Sequence, residues 1–257
     1  MNRAAQWSYV QARLQARHGE RLKEPDWRAL EAARSLEEFV ARAGVSSLRR
    51  FTARVHAGMS SHAVERLLRE NWRGYVAELA DWVPAAWRPA VLWTALVPEL
   101  PIIDGLRKGE TPNWIKHDPA FAELAAVDRQ HRHAAAANSP RHALIAALGP
   151  DRTLAASWYS HWRSLWPRRR TDRIALIDIA AAVSAHVEQL DRAGPQQTSA
   201  SYRHRLQDKL TRMFRRHSGT SAAVFCHLAL VALDLERLRG GLMRRRLFER
   251  SLAEAAA

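Results

Sequence analysis

Apolar residues recur at the spacing of an α-helix along almost the whole chain, and this periodicity restricts the fold more than any other feature. The clearest stretch follows Ser60 and Ser61, either of which can cap a helix. Eight apolar or aromatic side chains then recur three or four positions apart before Pro84 ends the pattern. No convincing run of alternating β-branched residues is present. We therefore predict an all-α protein, a multi-helix bundle of stacked helical hairpins.

Local signals place the helix ends and one domain boundary. Ser35 and Glu38 have the spacing of a capping box, and Gly44 and Gly58 are positioned to end the next two helices. A stretch rich in proline and glycine at 109–119 predicts a boundary between subdomains 1–110 and 111–257. In the second subdomain, helices are predicted over 119–137, 140–148, 151–165, 171–192, 200–216 and 220–250.

The charge is strongly positive and uneven. The formal net charge is +14, and only four of the 40 basic residues are lysines. Residues 1–110 hold 17 basic and 13 acidic side chains, whereas residues 111–257 hold 23 and 13. A basic second half predicts an anionic partner, whether an acidic protein, lipid headgroups or a nucleic acid.

Cysteine content and hydropathy indicate where the protein works. Cys226 is the only cysteine, so an intrachain disulfide is excluded and a reducing cytosol is favoured. The first twenty residues have no apolar core, which predicts the absence of a signal peptide. The apolar tract 82–103 carries four prolines and Arg88, so we do not expect it to cross a membrane as one helix.

The motifs of most enzyme classes are missing. The sequence contains neither the Gly-x-Gly-x-x-Gly motif of dinucleotide-binding proteins nor the Gly-x-x-x-x-Gly-Lys phosphate loop. A zinc finger needs several cysteines, and this chain has one. No glutamate has a histidine three positions later, as a di-iron bundle requires. We expect no cofactor, no metal and no catalytic activity. The alternative is an unrecognised helical site in which Asp178, predicted to be buried, lies in a pocket with His161 or His186.

Two kinds of cluster remain as candidates for binding. Trp158, Trp162 and Trp166 form one stripe of a helix, which favours a place in the core; the alternative is an aromatic platform beside an arginine patch. Basic clusters are the predicted contacts with a partner, and their alternative is a solvated surface. They are Arg107, Arg168, Arg169, Arg170, Arg244, Arg245 and Arg246.

Five segments together resemble the C subunit of the archaeal and bacterial A/V-type ATPases, which is subunit d of the vacuolar enzyme. Residues 62–72 (HAVERLLRENW) and 101–107 (PIIDGLR) are similar to the helix and the following motif of that family. Residues 9–17 resemble its opening helix, residues 35–40 the helix that follows, and residues 233–241 its closing helix. Gly105 stands where the family has asparagine, and the chain is shorter than the family norm.

The resemblance implies a funnel of pseudo-repeated helical hairpins that sits on the membrane proteolipid ring and receives the tip of the central stalk. It implies a non-catalytic adaptor for proton or sodium transport, peripheral on the cytoplasmic face of the inner membrane of a bacterium. The arginines would then engage acidic residues of the stalk or ring loops.

The basic second half and the tryptophans also fit a second hypothesis, a helical nucleic-acid-binding protein. Such a protein should carry its arginines on one continuous stripe and lose affinity steeply as salt increases.

Overall fold

All regular secondary structure in the described residues is helical, which confirms the all-α prediction. The computed structural model describes residues 3–128, 131–137, 139–146, 153–168, 170–192 and 199–255. The α-helices, in chain order, are α1 Arg3–Gly19, α2 Glu24–Glu31, α3 Leu36–Gly44, α4 Arg49–Thr52, α5 Ser61–Trp82, α6 Arg88–Trp93, α7 Leu100–Lys108, α8 Asn113–Lys116, α9 Ala122–Ala126, α10 Arg132–Ala135, α11 His142–Ala146, α12 Leu154–Ser164, α13 Arg170–Arg192, α14 Ser199–Arg216 and α15 Ser221–Ala255.

The helix ends predicted at Ser35, Gly44 and Ser60 are confirmed, and the one predicted at Gly58 is wrong. The Ser35 hydroxyl accepts a hydrogen bond from the Glu38 N–H at 3.1 Å, and the Ser60 hydroxyl begins α5 in the same way. Gly44 is the last residue of α3 and lacks the left-handed conformation. The helix expected to reach Gly58 ends at Thr52. A left-handed glycine cap does occur at Gly109, with φ of 92°, where it ends α7.

The proline-rich apolar tract folds as short segments. Two 3₁₀ turns, Ala85–Trp87 and Thr94–Glu99, alternate with α6 and α7. The stretch Ala85–Lys108 has the length and composition of a membrane span, but 44% of its apolar window is buried within the protein, and one such stretch is weak evidence for a span. The prolines explain the breaks, because each removes a backbone donor from the helical ladder.

The chain divides into two compact units, and the predicted boundary near residue 110 is wrong. One unit combines Met1–Ala85 with Arg168–Ala257, and the other is Ala86–Pro167. The first is called the terminal unit here because it contains both ends of the chain, and the second is called the inserted unit. The prediction failed because composition along the chain does not reveal that α15 packs against α1, α3 and α5.

Helix α15 is the centre of the terminal unit. Its residues Ser221–Leu228 are almost completely buried, as are Leu230, Leu238 and Leu242 further along. Helix α14 packs antiparallel to it across the turn at Gly219, since Phe214 lies near His227 while Arg203 pairs with Glu236. Helix α13 packs against both. This hairpin fits the predicted architecture of stacked hairpins.

The inserted unit contains the tryptophan stripe and the main error in helix prediction. Trp162 and Trp166 are buried and their rings meet edge to face with centroids 4.8 Å apart, which confirms the core interpretation for these two. Trp158 is half-buried and stacks on the Trp162 ring. The helix predicted over 119–137 is instead two short helices, α9 and α10. Buried Arg132 binds the carbonyl oxygens of Leu106, Leu124 and Val127, and so turns the chain back where α9 ends.

Candidate partner-binding surface

Arg245, one of the predicted partner contacts, is buried and belongs to the core of the terminal unit. Only 5% of its surface is exposed. Its guanidinium donates to the carbonyl oxygens of Glu31 at 2.7 Å, Ala33 at 2.8 Å and Gly241 at 2.9 Å, and lies over the Phe39 ring. It therefore caps the C-terminal end of α2, where carbonyl oxygens carry partial negative charge. The expectation that it faces a partner is corrected.

The other predicted arginines are dispersed. Arg246 donates to the Ala57 carbonyl oxygen at 2.8 Å, and Arg107 pairs with Asp104 at 3.2 Å. Arg168 and Arg244 are exposed. Arg169 lies outside the described residues, and of Arg170 the backbone alone is described. Consecutive residues on a helix diverge by about 100°, so a run of three arginines cannot share one face.

A basic ladder that the sequence analysis missed follows the exposed face of α14. It consists of Arg205, Lys209, Arg212 and Arg216, all exposed and spaced at i, i+4, i+7 and i+11. These positions lie in one row about 16 Å long. The opposite side of α14 places Leu206, Leu210 and Phe214 in the core. A search for basic residues at helical spacing, rather than for consecutive arginines, would have found the ladder.

The ladder has little local compensation for its charge. Lys209, Arg212 and Arg216 form no ion pair with any residue in the described part of the chain, and Arg205 lies over the Tyr202 ring at 5.0 Å. Asp208 is the only acidic residue of α14, and it faces His204 at 3.5 Å. Like charges three or four positions apart destabilise a helix by about 0.2–0.5 kcal/mol per pair. An anionic partner would relieve this repulsion.

The terminal unit also contains a polar cluster inside its core, formed by Tyr75, His18 and His227. The Tyr75 hydroxyl and His227 Nε2 are 2.6 Å apart, and His18 lies nearby with its ring centroid 6.5 Å from that of His227. Burial, with help from Arg21, lowers the pKa of His227 to about 3 and that of His18 to about 4. Burial also raises the pKa of Tyr75. The contact is therefore a hydrogen bond between a neutral tyrosine and a neutral histidine.

The buried ion pair beside this cluster joins the two ends of the chain. Arg21 donates to both carboxylate oxygens of Asp234, at 2.6 and 2.9 Å. A surface cleft of about 670 Å³ at the end of α1 is lined by Arg21, but not by Tyr75 or His227. The cluster thus has the geometry of a core contact between α1, α5 and α15, in which Nδ1 of His18 and Nδ1 of His227 are buried without a hydrogen-bond partner among the residues that the structure describes.

The residues of the enzymatic alternative lie in different surroundings. Asp178 is exposed, although we expected it to be buried. His186 is buried on another side of the same helix, and His161 lies in the inserted unit against the Trp93 ring. Within the described residues, no three His, Cys, Asp or Glu side chains are placed to hold a metal ion.

Comparisons with protein-family models, curated proteins and solved structures find no match to this chain.

Proposed function

We propose that this protein is a non-catalytic adaptor subunit of a rotary A/V-type ATPase, coupling the central stalk to the membrane proteolipid ring. The observation that carries the proposal is where the segments of the resemblance lie. Residues 9–17, 35–40, 62–72 and 233–241 fall in α1, α3, α5 and α15, and these helices pack together in the terminal unit. Residues 101–107 lie in α7 of the inserted unit.

The close packing and ion pairs of the terminal unit support this role, because an adaptor in a rotary motor must transmit torque without yielding. Close-packed interiors transmit strain. Arg237 of α15 binds Glu24 and Glu31 of α2, each at 2.7 Å, and its hydrogen bonds lower the pKa of both carboxyl groups. Together with the Arg21–Asp234 pair, these contacts join the first helices of the chain to its last helix.

The remaining exposed arginines are proposed contacts with the stalk or the ring. Among the predicted arginines whose side chains the structure describes, Arg168 and Arg244 are exposed. Surface charges of this kind set the orientation and the rate of association more than the affinity.

Affinity purification of the tagged full-length protein from membranes, after chemical crosslinking, tests the proposal. We expect central-stalk and proteolipid-ring subunits among the crosslinked partners, in near-stoichiometric amounts. Recovery without any rotary ATPase subunit would contradict it.

The second candidate function is nucleic-acid binding, which the positive charge of the basic ladder of α14 favours, although the charge pattern of that helix fits an acidic protein helix better. It predicts that the purified protein binds duplex DNA or RNA with an affinity that falls steeply with salt. In the crosslinking experiment, it predicts partners that nuclease treatment removes.

A further inference from the structure

We propose that the basic ladder of α14 is a docking surface for an acidic α-helix of a partner protein. This inference goes beyond the proposed function and does not depend on it, since it concerns the chemistry of one exposed helix face. The partner helix is expected to carry carboxylates at the spacing of the ladder.

The spacing of the ladder fits a second helix. Successive members, from Arg205 to Arg216, are displaced along the axis by about 6, 4.5 and 6 Å. Glutamate or aspartate at i, i+4, i+7 and i+11 of another helix has the same displacements. Two such helices lying side by side therefore bring every cation opposite a carboxylate. Complementary charge rows of this kind select partner and orientation in paired helices.

A membrane surface fits the same face less well. Helices that bind at a lipid surface insert apolar side chains between the headgroups. Leu206, Leu210 and Phe214 of α14 are buried in the terminal unit and Met213 is half-buried, so the described part of α14 has no exposed large aliphatic side chain to insert.

A nucleic acid also fits less well. Asp208 is exposed next to Lys209, and a uniformly charged phosphate backbone would have to approach it. The Tyr202 ring is covered by the Arg205 guanidinium, so its face is occupied where a base would stack. A patterned helix can place a neutral or basic residue opposite Asp208.

Two synthetic helical peptides of identical composition test the proposal by fluorescence anisotropy with the full-length protein. The first carries four glutamates in one row at i, i+4, i+7 and i+11. The second has the same residues permuted, so that the glutamates surround the helix, and its helicity is matched by circular dichroism. We expect the first peptide to bind at least about tenfold more tightly. Equal affinity for both peptides, or no binding of either, would overturn the proposal.

Charge reversal locates the binding site. The double variant Lys209→Glu with Arg212→Glu should lose the preference for the glutamate-row peptide and gain one for the corresponding lysine-row peptide. The matched control, Arg49→Glu with Arg163→Glu, changes the net charge equally at exposed residues that do not belong to α14 and should keep the original preference. Identical behaviour of the two variants would also overturn the proposal.

The same two variants show whether the ladder binds a nucleic acid or a lipid surface instead of an acidic helix. Duplex DNA and vesicles containing phosphatidylglycerol are measured at the same ionic strength as the peptides. We expect both to bind more weakly than the glutamate-row peptide. Tighter binding of DNA or vesicles, lost in the α14 variant and kept in the control, would assign the ladder to that partner and overturn the proposal.

Discussion

At the scale of single residues, the glycine pair in α15 gives a direct test of the packing. A Cβ atom added at Gly241 would lie 2.5 Å from Cζ of Phe39, whose side chain is completely buried. A Cβ added at Gly240 would meet nothing within 4 Å. The close contact with Phe39 therefore requires glycine at position 241, whereas the space around position 240 can accept a larger side chain.

We predict that Gly241→Ala destabilises the protein by about 1–3 kcal/mol, because Phe39 has no free space into which to move. Gly240→Ala should stabilise it by up to about 1 kcal/mol, since alanine restricts the unfolded chain and favours the helix. Urea denaturation followed by circular dichroism measures both. Equal effects would contradict the close contact between α3 and α15.

The Arg21–Asp234 pair yields a second prediction at this scale. The two side chains are 14% and 6% exposed. Asp234→Asn keeps the shape but leaves the Arg21 guanidinium without its counter-charge, so we expect a loss of about 3 kcal/mol in the free energy of unfolding. Asp208→Asn, at an exposed position, is the control and should change stability by less than about 0.5 kcal/mol. Similar small losses in both variants would show that the pair is solvated.

At the scale of helices, the sequence predicted ends that depend on neighbouring residues and missed those that depend on distant ones. Ser60 and Pro84 bound α5 as expected, because a cap and a missing donor act locally. The break between α9 and α10 depends on Arg132, which binds a carbonyl oxygen of α7, 26 residues earlier. Periodicity contains no information on such a contact.

The sequence also predicted only part of the candidate partner-binding surface. The basic character of the second half is evident from composition, and α14 was predicted within one residue of its ends. The particular arginines were wrong in part, since a run such as 244–246 distributes its side chains around the helix. Arg245 consequently points into the core while Arg244 is exposed.

We predict that Arg245→Lys destabilises the protein by about 2 kcal/mol. A lysine ammonium lacks the planar fork with which arginine reaches the carbonyl oxygens of Glu31, Ala33 and Gly241 together. Arg244→Lys is the matched control and should be nearly neutral. Thermal unfolding of the two variants decides between a capping role and a surface role, because a surface arginine at position 245 would leave the melting temperature unchanged.

At the scale of the whole molecule, one buried and one half-buried histidine should make stability depend on pH. His18 and His227 have folded-state pKa values of about 4 and about 3, below the ordinary value of 6.5. The unfolded chain therefore takes up protons that the folded protein does not. Their contribution is complete above pH 6.5 and is lost as pH falls through about 4 and about 3.

We predict that the free energy of unfolding decreases between pH 6 and pH 4, by up to about 1.4 kcal/mol per pH unit for each histidine. His18→Phe keeps a ring against Phe214, which His18 contacts at a centroid distance of 4.5 Å, but removes one titrating group. Its stability should fall less steeply with pH than that of the unchanged protein. Parallel pH profiles for the two proteins would rule out a half-buried, neutral His18.

The proposed role of the molecule as a mechanical link between stalk and ring is tested most directly by the ratio of ions pumped to ATP hydrolysed. Membrane vesicles from cells with and without this protein supply the two samples. We expect vesicles lacking it to keep hydrolysing ATP while ion uptake collapses, and added protein to restore uptake. An unchanged ratio of uptake to hydrolysis in its absence would contradict the proposed coupling.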